Sequence, residues 1–193
     1  MIDARTSAVL DRLYAEDAAQ RAAGLPSARR TRNVDFETGR WLHLLVRACG
    51  ARAILEIGSS NGVSTLWLAA ATRETSGQVT GTEILPERAA EANRNLAAAG
   101  LDHVARVVPG DAGATIATVT TPLDLVFIDA EKDDYVDHFR ATIGHVRTGG
   151  LILADNVISH DLSRYQTMLR ERDDVATVTL PIGRGVEFTL KTG

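Results

Sequence analysis

Strand-like and helix-like segments alternate along this chain from about residue 36 onward. The strand-like segments are "AILEI" (53–57), "QVTGTE" (78–83), "ARVVP" (105–109), "LDLVFID" (123–129), "LILAD" (151–155) and two more near 175–180 and 185–191. Segments with helical spacing of apolar residues separate most of them. Strands that alternate with helices pair in parallel, and the helices cover both faces of the sheet. We therefore predict an α/β fold with a three-layer, Rossmann-like arrangement.

The connection between the last two strands restricts the topology further. Only "PIGRG" (181–185) joins them. A parallel crossover needs about a dozen residues or more, whereas a link this short can form a hairpin. We expect the final strand to run antiparallel to its neighbour, which is not how a dehydrogenase-type Rossmann sheet is expected to end.

Two helices are predicted before the first strand. Residues 3–22 have helical spacing of apolar side chains, and Asp35 is placed to cap a second helix. The length fits one domain. We interpret residues 1–193 as a single domain, with an N-terminal helix and loop (1–35) and a core (36–193).

Composition excludes several classes of function. The formal net charge is −4, so no overall positive field exists to bind nucleic acid or anionic lipid. Cys49 is the only cysteine, so no internal disulfide can form, and we interpret it as an inert core thiol. No window reaches the roughly 18 apolar residues that a membrane span requires. We expect a cytoplasmic protein with neither nucleic acid nor membrane as a partner.

The residues that follow each predicted strand are the candidates for a binding site, because ligands of open α/β sheets lie outside the carboxyl ends of the strands. The segment "EIGSSNG" places Glu56, Gly58 and Gly62 at the first such turn. The glycines let the backbone approach a ligand, and Ser64 in the following helical turn can donate to a carboxylate there. The dinucleotide fingerprint is not met, which argues against a bound pyrophosphate.

Two further strand ends complete an expected nucleoside site. Glu83 ends the second strand, where a carboxylate can accept two hydrogen bonds from a ribose diol. The segment "GDA" (110–112) ends the third strand and could meet an adenine edge. The alternative is that the glycines only form a tight turn and that Glu83 is a solvated strand end.

A second set of polar residues follows the fourth and fifth strands. The segment "FIDAEKDDY" places Asp129 at one strand end, and "LILADNV" places Asp155 and Asn156 at the next. If these strands are neighbours, two carboxylates and an amide converge, and such oxygen ligands suit Mg²⁺, with Mn²⁺ or Ca²⁺ as alternatives. Near a divalent cation the ammonium form of Lys132 is disfavoured, so it could act as a general base.

The same residues also have purely structural interpretations. Asp129 could cap a helix, and Lys132 could lie on the surface. Asp155 and Asn156 could form a turn after a strand. From the residues alone, both interpretations stay open.

Taken together, "ILEIGSSNGVSTLWLA", Glu83, "GDA", "FIDAEKDDY" and "LILADNV" resemble the metal-dependent small-molecule O-methyltransferases, which include catechol and caffeoyl-CoA O-methyltransferases and bacterial relatives. The resemblance covers about residues 32–191. It implies a seven-stranded class I methyltransferase sheet whose last strand is antiparallel. It also implies S-adenosyl-L-methionine, a divalent metal, and methyl transfer to a small acceptor that carries two neighbouring hydroxyls.

The resemblance assigns roles to individual residues. The expected cofactor-binding residues are Val34, Glu56, Gly58, Ser59, Ser64, Glu83, Asp111, Ala112, Asp129 and Glu131. The expected metal ligands are Asp129, Asp155 and Asn156, with Lys132 as the catalytic base. Less specifically, His160 stands where plant relatives have a polar substrate contact, and Glu187 resembles an acidic residue that contacts the second hydroxyl in animal catechol enzymes. The family also implies a homodimer.

Other functions stay open beside this one. A methyltransferase of the same fold could act without metal on nitrogen or a carboxyl group. An NAD-dependent oxidoreductase and a non-catalytic module that keeps the nucleoside pocket are less consistent with the motifs. Arg29, Arg30 and Arg32 could grip an anionic substrate tail, although we favour a solvated loop. We interpret His43 and His138 as surface or boundary residues.

Overall fold

The structure is a computed structural model that describes residues 2–26 and 29–193. The helices are α1 (Ala4–Ala22), α2 (Phe36–Cys49), α3 (Val63–Thr75), α4 (Pro86–Ala99), α5 (Ala112–Ile116), α6 (Tyr135–Ile143) and α7 (Ser163–Arg170), with a 3-10 turn at Lys132–Asp134. The strands are β1 (Ala53–Ile57), β2 (Gln78–Glu83), β3 (Ala105–Pro109), β4 (Leu123–Ile128), β5 (Val146–Asp155), β6 (Val175–Leu180) and β7 (Val186–Lys191). The loop predicted between the first two helices lies outside the described residues at positions 27 and 28.

Capping residues explain where several helices begin and end. Asp35 accepts a hydrogen bond from the N–H of Thr38 at 2.8 Å and so caps α2, as predicted. Gly50 ends α2 in the left-handed conformation, with φ of 66°. Pro86 occupies the first turn of α4, and Gly100 ends that helix with φ of 71°.

The seven strands form one sheet in the order β3-β2-β1-β4-β5-β7-β6. The strands from β3 to β5 in this order pair in parallel with their neighbours, whereas β7 pairs antiparallel with both β5 and β6. The predicted antiparallel final strand is therefore confirmed, and the five-residue link explains it. The sheet confirms the Rossmann-like α/β prediction.

Alternating strand residues divide the core into two layers. Ile54 of β1 and its partner Leu125 of β4 pack on the side covered by α1 to α4. Leu55 and its partner Val126 pack on the opposite side, against α5 to α7. Because both faces are buried, these strands are nearly continuously apolar, and the arrangement has three layers.

Strand β5 differs from its predicted range of 151–155, because it begins at Val146. The added residues, "VRTGG", contain a charge and two glycines, so they lack an apolar strand pattern. Leu123 pairs with Val146, and the register shifts before Leu125. The extension therefore depends on pairing with β4, which the local sequence does not show.

Within the described ranges, no helix combines the length and the apolarity needed to cross a membrane.

Candidate active site

A cavity of ≈ 770 Å³ opens at the carboxyl edge of the parallel strands. Its lining includes residues from five strand ends: Gly58 and Ser60 after β1, Glu83 at the end of β2, Gly110 and Asp111 after β3, Asp129 and Lys132 after β4, and Asn156 after β5. The structure thus brings together the strand ends that the sequence analysis singled out.

The turn after β1 packs tightly against the end of β4. Gly58 has φ of 91°, and a β-carbon on it would overlap the carbonyl of Asp129. The N–H groups of Gly58 and Ser59 donate to the carbonyl of Thr82 at 3.0 and 2.9 Å. Only glycine permits both this conformation and this approach, so the turn joins the two predicted halves of the site.

Glu83 is held at the wall of the cavity. One carboxylate oxygen accepts the N–H of Ser60 at 2.8 Å, and the other accepts the N–H of Leu85 at 2.9 Å. Glu83 is only 8% exposed and lines the cavity. It is therefore not a solvated strand end. Each oxygen keeps lone pairs with which it can accept a further hydrogen bond.

Glu56 lies below the same turn and does not line the cavity. Its side chain is fully buried, and its Oε2 accepts hydrogen bonds from Ser59 at 2.6 Å and from Thr65. Burial raises the pKa of Glu56, hydroxyl donors such as Ser59 and Thr65 partly offset this, and the charge of Asp129 raises it further. Its Oε1 has no partner in the described part of the chain, but Glu56 lines neither the cavity nor the smaller pocket beside it, so the structure does not bring this predicted cofactor residue to the cavity wall.

Three other predicted cofactor residues line a smaller pocket of ≈ 10 Å³ beside the main cavity. These are Val34, Ser59 and Ser64. Gly58 and Asp129 line both spaces, so the two are contiguous. Val34 therefore approaches the site from the segment that precedes α2.

The end of β3 forms a separate wall. Asp111 caps α5 by accepting the N–H of Ala114 at 3.2 Å, and Asp111 and Ala112 both line the cavity. His138 of α6 lines it as well, and burial lowers the pKa of its imidazole. The sequence interpretation of His138 as a boundary residue missed this placement. A signal was available, because His138 follows Asp134 by four residues and the two therefore lie on the same side of the helix. Asp134 also lines the cavity.

The two predicted metal-binding aspartates leave neighbouring strands at the same level. Ile128 of β4 pairs with Ala154 of β5, and Asp129 and Asp155 are the residues that follow. Asp155 is 3% exposed, its Oδ2 accepts a hydrogen bond from the amide of Asn156, and its Oδ1 has no partner among the described residues. The condition on which the sequence argument depended, that these strands are adjacent, is met.

Charge repulsion acts between these carboxylates. Burial raises the pKa of Asp155, and the nearby charge of Asp129 raises it further. Burial also raises the pKa of Asp129, whereas the charges of Lys132, Arg184 and Arg32 lower it. A cation between the buried Asp155 and the partly buried Asp129 would therefore be electrostatically favourable.

Lys132 supplies one such positive charge. Its ammonium group donates to Asp129 Oδ1 at 2.9 Å, to the carbonyl of Ala130 at 3.0 Å and to the hydroxyl of Tyr135 at 2.7 Å. The Tyr135 hydroxyl in turn donates to the carbonyl of Asp155 at 3.1 Å. No role was predicted for Tyr135, although its position three residues after Lys132 was a signal that it could contact that lysine.

The donor set fits a hard divalent cation. Asp155 Oδ1 is a buried oxygen without a partner, and Asp129 and the Asn156 side chain supply further oxygens. Across residues 2–26 and 29–193, no three His, Cys, Asp or Glu side chains cluster in a way that could hold a metal ion. The predicted set contains only two residues of these types, Asp129 and Asp155, and relies on Asn156 as its third ligand.

Arginines surround the cavity more closely than predicted. Arg32 forms an ion pair with Glu131 at 2.7 Å, which joins the segment before α2 to the segment after β4. Arg30 is half-buried and lines the cavity, so the interpretation of these arginines as a solvated loop is wrong for Arg30. Arg32 also borders the cavity, but its side chain is 51% exposed, and Arg29 is exposed as well. Arg184, which no motif singled out, lines it as well.

The two weakly assigned substrate residues have different locations. His160 lines the cavity, and its Nδ1 lies 2.9 Å from the hydroxyl of Ser159. Glu187 is fully buried between β6 and β7, where its carboxylate accepts hydrogen bonds from Gln166, Thr177 and Thr179 at 2.6–2.9 Å. The structure does not bring Glu187 to the cavity.

A protein-family model described as O-methyltransferase matches residues 5–192, which is nearly the whole chain. The chain belongs to the O-methyltransferase family. This family membership makes it a methyltransferase enzyme. The family match therefore argues against the two alternative functions, an NAD-dependent oxidoreductase and a non-catalytic module.

Relatives of this methyltransferase include two curated bacterial proteins. It is 40% identical over 167 residues to the catechol O-methyltransferase of Mycobacterium tuberculosis, and the alignment covers 86% of this chain and 71% of that protein. It is 35% identical over 152 residues to the catechol O-methyltransferase of Niastella koreensis, which covers 77% of this chain and 66% of that protein.

Among solved structures, this methyltransferase resembles the O-methyltransferase TomG from Streptomyces achromogenes, involved in tomaymycin synthesis and crystallised with S-adenosylmethionine. The TM-score is 0.81 at 31% identity, and the match covers 94% of this chain and 89% of TomG.

Proposed function

We propose that this methyltransferase transfers the methyl group of S-adenosylmethionine to one hydroxyl of a small acceptor that carries two neighbouring hydroxyls, with a divalent cation held by Asp129, Asp155 and Asn156. The observation that carries the proposal is the convergence of two carboxylates, an amide and a lysine at the ends of β4 and β5, with Asp155 buried and Asp129 partly buried. At this place Lys132 donates to Asp129, so oxygen ligands and a candidate base lie side by side on the cavity wall.

The nucleoside half of the cavity supports the choice of cofactor. Glu83 lines the cavity and keeps lone pairs that can accept hydrogen bonds from a ribose diol. Asp111 and Ala112 border the space left for adenine. S-adenosylmethionine, when bound, supplies a methyl carbon attached to a positively charged sulfur.

The metal half supports the choice of acceptor. A divalent cation, when bound, lowers the pKa of a hydroxyl that it contacts. An acceptor with two adjacent oxygens can chelate such an ion, which matches the names of the two curated relatives. His160 lies on the cavity wall beside Asn156 and is a candidate contact for the acceptor.

The reaction follows from these positions. Lys132 Nζ, in its neutral form, accepts the proton of the reacting hydroxyl and becomes an ammonium, which Asp129, the Ala130 carbonyl and Tyr135 already hold in place. S-adenosylmethionine, when bound, would supply the methyl group to the acceptor oxygen and would leave as the neutral thioether, which keeps the electron pair of the broken carbon–sulfur bond. The main contribution of the protein is to align the two reactants.

The proposal is tested by methyl-transfer assays on catechol with and without metal. Addition of EDTA should abolish turnover, and Mg²⁺ should restore it. Lys132→Ala should lower kcat by about 10²–10⁴-fold, the usual contribution of a general base, while the affinity for S-adenosylhomocysteine changes little.

Lys191 is the control, because it is the only other lysine and its ammonium group binds the carbonyls of Ile143 and Val146 away from the cavity. Lys191→Ala should keep kcat. Unchanged catechol methylation after complete metal removal would contradict the metal role.

One observation favours a second candidate, a methyltransferase that works without metal on nitrogen or a carboxyl group. Lys132 already donates to Asp129, so one carboxylate has a counter-charge without any added ion. Methylation of an amine or carboxylate acceptor at full rate in EDTA, with no turnover of catechol, would select this candidate.

We also propose that the protein is a homodimer. Phe36 and Leu44 of α2 and Val178 of the edge strand β6 are about half exposed, and exposed apolar side chains favour association. Sedimentation equilibrium should give twice the chain mass of 20.7 kDa, and a monomer mass at micromolar concentration would exclude the dimer.

A further inference from the structure

The hairpin between β6 and β7 carries Arg184 into the cavity. The N–H groups of Ile158 and Ser159 donate to the carbonyl of Arg184 at 3.1 and 3.2 Å. Gly185 has φ of 92°, and a β-carbon on it would overlap Ile158. The backbone of Arg184 is therefore fixed against the loop that follows β5, the same loop that begins with Asn156.

The guanidinium of Arg184 has no protein partner in the described ranges. The residue is partly buried and lines the cavity, but neither a carboxylate nor a carbonyl lies within hydrogen-bonding distance of its side chain. By contrast, Arg32 is paired with Glu131 and Arg21 with Asp17, each at 2.7 Å. Arg184 thus acts on Asp129 only through its charge and is bonded to no described carboxylate, so its N–H groups are free to bind an anion.

Arg184 belongs to the metal half of the cavity. Although burial raises the pKa of Asp129, Arg184 is near enough that its charge helps to lower it. Arg88 lies instead at the nucleoside half, where it donates to Ser60 at 3.4 Å and to the carbonyl of Arg30 at 3.0 Å. Of the two halves, Arg184 therefore faces the one that would hold the acceptor.

We propose that Arg184 is a specificity-determining residue that binds a carboxylate on the acceptor, at a distance from the two hydroxyls that react. The inference rests on the proposed function, because it assumes that the hydroxyls lie at Asp129, Asp155 and Lys132. A planar guanidinium presents paired donors that match a carboxylate, and partial burial strengthens the contact. The acceptor class is accordingly a dihydroxy aromatic acid rather than a neutral catechol.

Binding of an acid and its neutral analogue tests this inference. Calorimetry in the presence of Mg²⁺ and S-adenosylhomocysteine would compare 3,4-dihydroxybenzoate with its methyl ester, which keeps both hydroxyls and loses the charge. The acid should bind the unaltered protein roughly tenfold more tightly, as expected for one charge-assisted pair. Arg184→Gln should remove this preference and leave the affinity for the ester unchanged.

Two further variants separate a specific contact from general effects. Arg184→Lys keeps the charge without the paired donors and should recover part of the preference. Arg170→Gln removes an exposed arginine of α7 that does not line the cavity, and it should change neither affinity.

Several results would overturn the inference: equal binding of acid and ester, no binding of either, or an equal loss for both in Arg184→Gln. A loss of affinity for S-adenosylhomocysteine in that variant, with the acid preference intact, would assign Arg184 to the cofactor instead.

Methyl transfer assayed in parallel distinguishes a failure of this inference from a failure of the proposed function. Turnover of the ester without acid preference would leave the proposed function standing, whereas acid-selective binding without any turnover would contradict the proposed function alone.

Discussion

Two neighbouring tyrosines have opposite hydrogen-bonding situations. The rings of Tyr135 and Tyr165 lie 5.7 Å apart in a T-shaped contact, and both side chains are fully buried. The Tyr135 hydroxyl accepts from Lys132 and donates to the carbonyl of Asp155, whereas the Tyr165 hydroxyl has no partner in the described residues. The first hydroxyl connects the base to the end of β5, and the second is a buried polar group without compensation.

Removal of these hydroxyls should therefore have different effects on stability. Tyr135→Phe should reduce the free energy of unfolding by about 1–2 kcal/mol, because it breaks two buried hydrogen bonds. Tyr165→Phe, the matched control, should be neutral or stabilising, because it removes an unsatisfied group. Urea denaturation of both variants measures the difference, and an equal loss in the two would contradict the hydrogen-bond assignment.

At the scale of elements, Asp124 joins three strands at the amino edge of the sheet. Its Oδ2 accepts the N–H groups of Arg52 and Ala53 at 2.8 and 2.9 Å, which fixes the start of β1. Its Oδ1 accepts from Arg147 of β5 at 2.6 Å. Partial burial raises the pKa of Asp124, but the hydrogen bonds from Ala53, Arg147 and Arg52 outweigh it, so the net shift is downward.

This arrangement predicts a pH-dependent contribution to stability. Because the pKa of Asp124 is lower in the folded state than in the unfolded state, its carboxylate stabilises the fold. The stabilisation is fully present above the unfolded pKa of about 3.9 and is lost as the pH falls through the pKa of the folded state. Asp124→Asn should cost about 1–2 kcal/mol at pH 7, and the difference from the unaltered protein should shrink below about pH 4.

Denaturation of Asp124→Asn and of the unaltered protein at several pH values measures this pH-dependent difference in stability. Asp137→Asn is the control, since Asp137 is 80% exposed and lies 3.9 Å from Arg140, and exposed pairs contribute little. A difference that persists unchanged at pH 3 would refute the assignment to the ionised carboxylate.

Elements were predictable where their signals are local. Asp35 and Gly50 mark the ends of α2, and the strands from 53 to 129 match their apolar runs. The start of β5 was not predictable, since it depends on a register shift opposite Leu123. Cys49 was predicted in the core but is exposed, and His43 was predicted as a surface or boundary residue but is buried against Trp67. Helical periodicity predicts which side of a helix is apolar, but it does not predict how far the neighbouring elements cover that helix.

The site was predictable to the extent that strand ends determine it. Asp129, Asp155 and Asn156 follow two strands whose adjacency needed only the parallel-sheet rule. Arg184 was not predictable, because its approach to Asp129 depends on how the hairpin packs on the loop after β5. Glu187 was misplaced for the same reason: residues of one short hairpin differ in which edge or face they reach.

At the scale of the whole molecule, one cavity combines segments from nearly the full length of the chain, from Arg21 to Arg184. A ligand that fills such a cavity interacts with the folded state only. Ligand binding should therefore be linked to global unfolding rather than to the loosening of one element.

Thermal denaturation tests this linkage together with the choice of cofactor. At 100 times its dissociation constant, S-adenosylhomocysteine should stabilise the protein by about 2.7 kcal/mol, which corresponds to roughly 5–10 °C in Tm for a chain of this size. NAD should produce no shift. Glu83→Ala should reduce the shift, whereas Glu87→Ala, which alters an exposed residue of α4, should not.

The reversed direction of β7 has a consequence for how acceptor preference could change over evolutionary time. A strand that ran parallel would begin at the far edge of the sheet, but this one starts beside Asp155. The five residues that precede it therefore form a short segment that borders the cavity through Arg184 and that none of the parallel strands requires for its pairing. Exchange of this segment alone offers a direct route to new specificities, with the cofactor half left as it is.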